Sequence, residues 1–135
     1  HFVATELTPE EAAAKYDREV RETRLELALL GVGPDGHTAS LFPGAPSLEE
    51  RERHAVAAQA QFEPFVPRVT LTILALEAAE QVVFLVTGED KADAARSAFG
   101  EPPSRGTPAS LIRSTSGTTT AILDRAAAKL LDSRH

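Results

Sequence analysis

The chain has 135 residues, 42% of them apolar, enough for one globular domain with a real core. Fourteen Lys plus Arg against 20 Asp plus Glu leave a net charge of −6, the wrong sign for a phosphate-backbone binder, so no nucleic-acid partner is expected. No apolar run approaches the roughly 18 residues of a membrane span, and without Cys neither a disulfide framework nor a thiolate metal site is expected, a composition that suits a reducing cytoplasm.

The chain opens His1-Phe2-Val3-Ala4 and contains no Met, which predicts a cut N-terminus with no leader character and a piece of something longer. Thr8-Pro9-Glu10-Glu11 combines an N-cap hydroxyl, Pro at the first helical position and Glu at the third, predicting a helix from Pro9 to about Glu22. Lys15, Arg18, Glu19, Arg21, Glu22 and Arg24 read as a solvated charged face. Leu25-Glu26-Leu27-Ala28-Leu29-Leu30 alternates and then turns fully apolar, as a strand entering a covered sheet does. It delivers the stretch Gly31-Val32-Gly33-Pro34-Asp35-Gly36-His37-Thr38-Ala39-Ser40-Leu41-Phe42-Pro43-Gly44, a glycine-rich loop with an Asp and a His two residues apart.

Beyond it, Leu48–Arg53 predicts a short exposed helix and Ala55–Ala60 a weak strand. Residues 61–67 hold two prolines and predict a loop anchored by Phe62 and Phe65. Arg68–Leu74 alternates with β-branched residues and predicts a strand, and Gln81–Thr87 predicts the most buried strand, ended by Gly88. Six residues between these two strands are too few for a parallel crossover. The expectation is a mixed sheet with the Arg68 strand antiparallel, which would bring Arg68 to the rim where Gly88 ends its neighbour. Glu89–Phe99 predicts a helix with acidic residues in its first turn, residues 100–108 a loop, Ala109–Ile112 a short strand, and Thr118–Leu131 a closing helix with Ile122, Leu123, Ala126, Ala127, Leu130 and Leu131 on one face. Strands alternating with helices argue α/β.

Ligands of open α/β sheets sit outside the carboxyl ends of the strands, and the Gly31–Gly44 loop leaves such an end. A histidine near its unperturbed pKa of about 6.5 can deprotonate an attacking water at neutral pH, which makes His37 the candidate base. Asp35 either orients the imidazole or caps the turn that follows. Amides of Gly33, Gly36 and the first turn after His37 are candidate donors to a substrate oxygen. Lys91, after a buried strand and a glycine, could meet a phosphate or merely pair with Glu89 or Asp90; Arg68 is the second candidate cation. The four His stand at 1, 37, 54 and 135, without metal-ligand spacing, so no metal is expected.

Taken as one block, the Gly31–Gly44 stretch resembles the signature of 6-phosphogluconolactonases. Arg68-Val69-Thr70-Leu71-Thr72, Phe84 through Ala92, and Pro108-Ala109-Ser110-Leu111-Ile112-Arg113 are similar to successive blocks of the same enzymes. The resemblance implies a Rossmann-like three-layer α/β/α fold with a mostly parallel, mixed sheet, shared with glucosamine-6-phosphate isomerases. It implies hydrolysis of 6-phospho-D-glucono-1,5-lactone to 6-phosphogluconate in the oxidative pentose phosphate pathway, without metal or organic cofactor. The small-molecule sugar phosphate lactone is then the partner, with His37 and Asp35 catalytic and Gly33, Gly36, Arg68 and Lys91 binding substrate. Ser114 stands where the family usually has Pro. The family's N-terminal half is not in these residues, so 1–135 read as the C-terminal portion of one such domain, expected to be poorly active alone and to leave a sheet edge for the missing half or another chain to cover. The alternatives are an amino-sugar phosphate isomerase or deaminase, whose block bears an Asn and an acidic residue among the residues that here read Ala39-Ser40-Leu41-Phe42-Pro43, and a non-catalytic sugar-phosphate-binding module, which would keep Lys91 but could lose His37.

Overall fold

A computed structural model describes residues 3–61 and 64–131; the anchor expected at Phe62 lies outside them. Helix α1 spans Pro9–Arg21, started by the Thr8 hydroxyl accepting from the Glu11 N–H. Strands follow at Leu27–Leu30 (β1), Ala55–Gln59 (β2), Pro67–Leu71 (β3), Gln81–Val86 (β4) and Thr118–Leu123 (β5), with short helices at Ile73–Glu77 (α2) and Ala92–Ala95 (α3). The α/β class stands.

The strands form two sheets. One is parallel, in the order β1-β4-β5, with Leu30 beside Phe84 and Val86 beside Leu123. The other is the antiparallel pair β2-β3, on which α1 packs. The expected antiparallel neighbour of the Gln81 strand is therefore not found. The Arg68 strand pairs instead with Ala55–Gln59, its predecessor in sequence, placing Arg68 opposite Ala58 and away from the rim at Gly88. The strand also stops earlier than its alternation suggests, because the Thr72 hydroxyl accepts from the Ala75 N–H and opens α2 at Ile73.

Three other segments differ from expectation. Leu48 lies in a single 3-10 turn, Pro46–Glu49, and its side chain is buried, so this is a core anchor rather than an exposed helix. Pro108–Leu111 is also a 3-10 turn, held by Ser110 Oγ donating to the Thr107 carbonyl at 2.6 Å, not a strand. Thr118–Leu123 is a strand, since its β-branched residues pair along all of β4. Asp124 ends it by accepting from the Ala127 N–H, and turns follow through Leu130. The helix expected after Gly88 is present but irregular: a 3-10 turn (Glu89–Lys91), α3 and a π-type turn (Arg96–Gly100).

The parallel sheet has unequal faces. Ala28, Leu30, Val82, Phe84 and Val86 are buried against Leu41, Leu48, Ile73, Leu76, Ala98 and Ile112, with the Phe84 and Phe99 rings 5.3 Å apart. On the other face Leu27, Leu29, Leu85 and Ile122 are 50–64% exposed. A parallel sheet ordinarily has both faces covered; the described residues cover one. No described helix is long and apolar enough to cross a membrane.

Candidate active site

Parallel pairing sets the site. With β1, β4 and β5 running the same way, the loop after β1, the turn after β4 and the end of β5 meet at one rim, outside the carboxyl ends of the strands. The loop after β1 folds on itself there: Gly36 N–H donates to Gly33 O (2.9 Å), Gly33 N–H to His37 O (2.8 Å), and the buried Thr38 hydroxyl to Gly31 O (2.7 Å).

This folding brings Asp35 and His37 together. His37 Nδ1 lies 2.5 Å from Asp35 Oδ1, which also accepts the His37 backbone N–H at 3.2 Å. The carboxylate thus fixes the tautomer with the proton on Nδ1 and leaves the Nε2 lone pair for a proton in transit. The pair is reachable but sheltered, the His37 side chain 30% and that of Asp35 15% exposed. Among the described residues Asp35 bonds only His37, through the imidazole and the backbone N–H, and makes no bond to the Thr38–Leu41 turn that follows.

The glycines contribute space rather than donors. A Cβ on Gly33 would stand 2.2 Å from His37 Nδ1 and Cε1, so a larger residue would push the imidazole away; Gly36, at φ +88°, lies against Thr107. The expectation that Gly33 and Gly36 offer their amides to a substrate is corrected, because both N–H groups are spent on carbonyls of the same loop. Thr38 pairs with Leu41 in an isolated antiparallel bridge, while the N–H of Ala39, a residue at a left-handed φ of +52°, makes no hydrogen bond among the described residues.

Lys91 joins this site. Its Nζ donates to Val32 O at 2.5 Å, across from the turn after β4 to the loop after β1, beside Gly33. It does not pair with Glu89, which Lys129 takes, or with Asp90. Gly88 is held in turn by its N–H donating to both Asp124 carboxylate oxygens (3.1 and 3.2 Å) at the end of β5. Arg68 makes none of these contacts; it lines a separate cleft of about 180 Å³ with Val3, Leu7 and Pro67, and its buried Nε has no hydrogen-bond partner among the described residues. Its strand still touches the site, since Thr70 Oγ1 accepts from the Ser40 N–H.

Three further contributors lie in or beside the blocks quoted above, but their contacts with this loop could not be read from the sequence. Phe42 lies with its ring 5.1 Å from that of His37, Thr70 anchors the loop from β3, and the segment 104–109 braces it, with Ala109 N–H donating to Gly36 O and Gly44 N–H to Arg105 O. A second His–carboxylate pair lies elsewhere, where His54 and Asp17 join β2 to α1. Among the described residues no group of three or more His, Cys, Asp or Glu could hold a metal ion.

The family model described as glucosamine-6-phosphate isomerases/6-phosphogluconolactonase matches residues 1–121. The chain is 41% identical to a human 6-phosphogluconolactonase over 133 residues, covering 93% of this chain and 52% of that protein. The 6-phosphogluconolactonase structure from Thermotoga maritima superposes with a TM-score of 0.77 at 35% identity, over 92% of this chain and 56% of that one. A monomeric glucosamine-6-phosphate deaminase of 24% identity shares the fold alone, with a TM-score of 0.71 over 89% of this chain and 54% of that one. The chain spans about half the length of the relatives it matches.

Proposed function

Because the chain belongs to the glucosamine-6-phosphate isomerase/6-phosphogluconolactonase family, we propose that it carries the catalytic half of a lactonase hydrolysing 6-phospho-D-glucono-1,5-lactone to 6-phospho-D-gluconate. The observation that carries this reading is the Asp35–His37 pair, bonded through Nδ1 at 2.5 Å on a glycine loop beside Lys91. His37 Nε2 takes a proton from water as its oxygen attacks the lactone carbonyl. The oxyanion is met by the amide of Ala39, which bonds nothing else among the described residues. When the tetrahedral intermediate collapses, the bond from the carbonyl carbon to the ring oxygen breaks and the His37 imidazolium returns the proton to that oxygen. The product acid then loses its own proton to solvent.

Lys91 is the cation for the phosphate, as an ammonium with donors to spare after Val32 O. Arg68 lies in the separate cleft beside Val3 and Leu7, and this reading gives it no contact with a substrate held at His37 and Lys91. The sheet face of Leu27, Leu29, Leu85 and Ile122 takes the remaining half of the family fold, in the same chain or another. We assign the reaction to the cytoplasm, in keeping with a chain without Cys. The isomerase alternative has less support, since Ala39, Ser40 and Leu41 offer no carboxylate beside His37.

The test joins the chain to the remaining half of the fold from a relative and measures lactone hydrolysis above the spontaneous rate. His37→Asn should lower kcat by about 100-fold or more with KM nearly unchanged. The 135-residue chain by itself should turn over poorly. Retention of most catalysis by the His37→Asn variant would overturn the reading.

A further inference from the structure

Asp35 fixes one atom of the His37 ring, and one hydrogen bond leaves a planar side chain free to rock about it. The Nδ1–Cε1 side of the imidazole lies against Gly33, where a Cβ would come within 2.2 Å of both atoms. Phe42 supplies the third constraint. Its ring centroid is 5.1 Å from that of the imidazole, with the planes tilted by 37°, within the range of favourable aromatic pairs. Phe42 is 4% exposed, so its own position is fixed by the core, and the fully buried Leu41 precedes it.

Phe42 has no polar atom and cannot take part in proton transfer, yet it stands only five residues from His37 on the same loop. The Thr38–Leu41 turn, closed by Leu41 N–H donating to Thr38 O at 2.9 Å, folds it back onto the imidazole. The left-handed Ala39 sits inside this turn. A strained non-glycine conformation persists only where the surroundings over-determine it. Here its consequence is that Phe42 meets His37.

We propose that Phe42 is a positioning residue for His37: its ring holds the imidazole plane so that Nε2 keeps one direction while Nδ1 stays on Asp35. This rests on the reading of His37 as the base. Displacements of about 1 Å at a reacting group can cost up to about 100-fold, so a loosened ring lowers kcat more than binding.

The experiment compares Phe42→Leu, which keeps apolar volume without a ring, with Phe42→Tyr, which keeps the ring and extends it at the edge of the cleft of about 400 Å³ that Phe42 lines with Gly44, Ala58 and Ala60. In the chain joined to the remaining half of the fold, Phe42→Leu should lower kcat about 10-fold with KM within about twofold, and Phe42→Tyr should restore most of it. Independently of activity, proton NMR of the 135-residue chain should show the His37 ring protons losing the ring-current shift in Phe42→Leu and keeping it in Phe42→Tyr. The Nδ1 proton should exchange with solvent faster in Phe42→Leu alone. Equal kcat losses in both variants, or a Phe42→Leu variant whose kcat and Nδ1 exchange match the parent, would overturn the proposal. If the joined protein shows no lactonase activity, the function reading fails, and the NMR comparison still decides whether Phe42 orders the ring.

Discussion

Two histidines each stand beside a carboxylate in this molecule, and the way the pairs are wired separates chemistry from architecture. At His37 the carboxylate meets the imidazole itself, Nδ1 to Oδ1 at 2.5 Å, and Asp35 Oδ2 has no hydrogen-bond partner among the described residues. At His54 the carboxylate meets the backbone. Asp17 Oδ1 accepts the His54 main-chain N–H at 2.5 Å and Oδ2 accepts Arg21 Nε at 3.1 Å, while the imidazole Nδ1 stays 3.8 Å from Oδ1 and has no hydrogen-bond partner among the described residues. The first pair directs a side chain; the second pins a strand to a helix. Arg21 extends that pin by donating from Nη2 to Glu52 O.

The largest difference between the pairs should appear when each carboxylate becomes an amide. Asp35→Asn keeps the shape but can donate an N–H toward Nδ1, which favours the tautomer with the proton on Nε2 and removes the lone pair the reaction needs. We expect kcat of the joined protein to fall about 100-fold. The double variant with His37→Asn should be little worse than either single one, because the two residues act as a unit. Additive losses would mean that Asp35 works apart from His37.

Asp17→Asn should leave kcat unchanged within about twofold and instead lower stability by about 1–3 kcal/mol, the scale of a lost charged hydrogen bond at a buried site. The urea midpoint of the 135-residue chain measures it. Burial by itself would raise the Asp17 pKa, but the His54 N–H and the Arg21 hydrogen bond and charge outweigh it, so the carboxyl titrates below its ordinary 3.8. A depressed carboxylate contributes stability that is full above the unfolded value and lost as pH falls through the folded one. The gap between parent and Asp17→Asn should therefore be complete at pH 5 and above, and shrink as pH drops below 3.8. A gap that widens in acid would mean that Asp17 is not the anchor.

How much of this was legible in the sequence follows the range of each interaction. The Asp35–His37 pair spans two residues and a glycine turn, so its loop and its place after a strand could be read directly, as could the α1 cap at Thr8. Asp17 and His54 lie 37 residues apart and join through a backbone N–H that any residue would supply, so nothing in their types announces the contact. The same holds for Arg68. Its strand was legible, but its partner was set by the Thr72 cap that turns the chain aside before β4. The segment after Thr118 carries both β-branched residues and a helical spacing of Ala and Leu, and pairing along six residues of β4 decided for the strand. Whether the Gly33 and Gly36 amides were free depended on how the loop closed on itself, which spacing does not fix.

The smallest effect is expected at His54. Asp17 holds this residue by its main-chain N–H, and Thr72 N–H donates to its carbonyl at 3.0 Å, so both bonds survive any replacement that leaves the backbone in place. The imidazole contributes only a buried Nδ1, unpartnered among the described residues, and a side chain 27% exposed. His54→Asn should shift stability by less than about 1 kcal/mol and leave kcat unchanged, while the same substitution at His37 removes about 100-fold. The measurement is one urea titration and one assay for each variant. A loss of several kcal/mol at His54 would show that its imidazole bonds Asp17 in solution, and the two pairs would then differ in location but not in wiring.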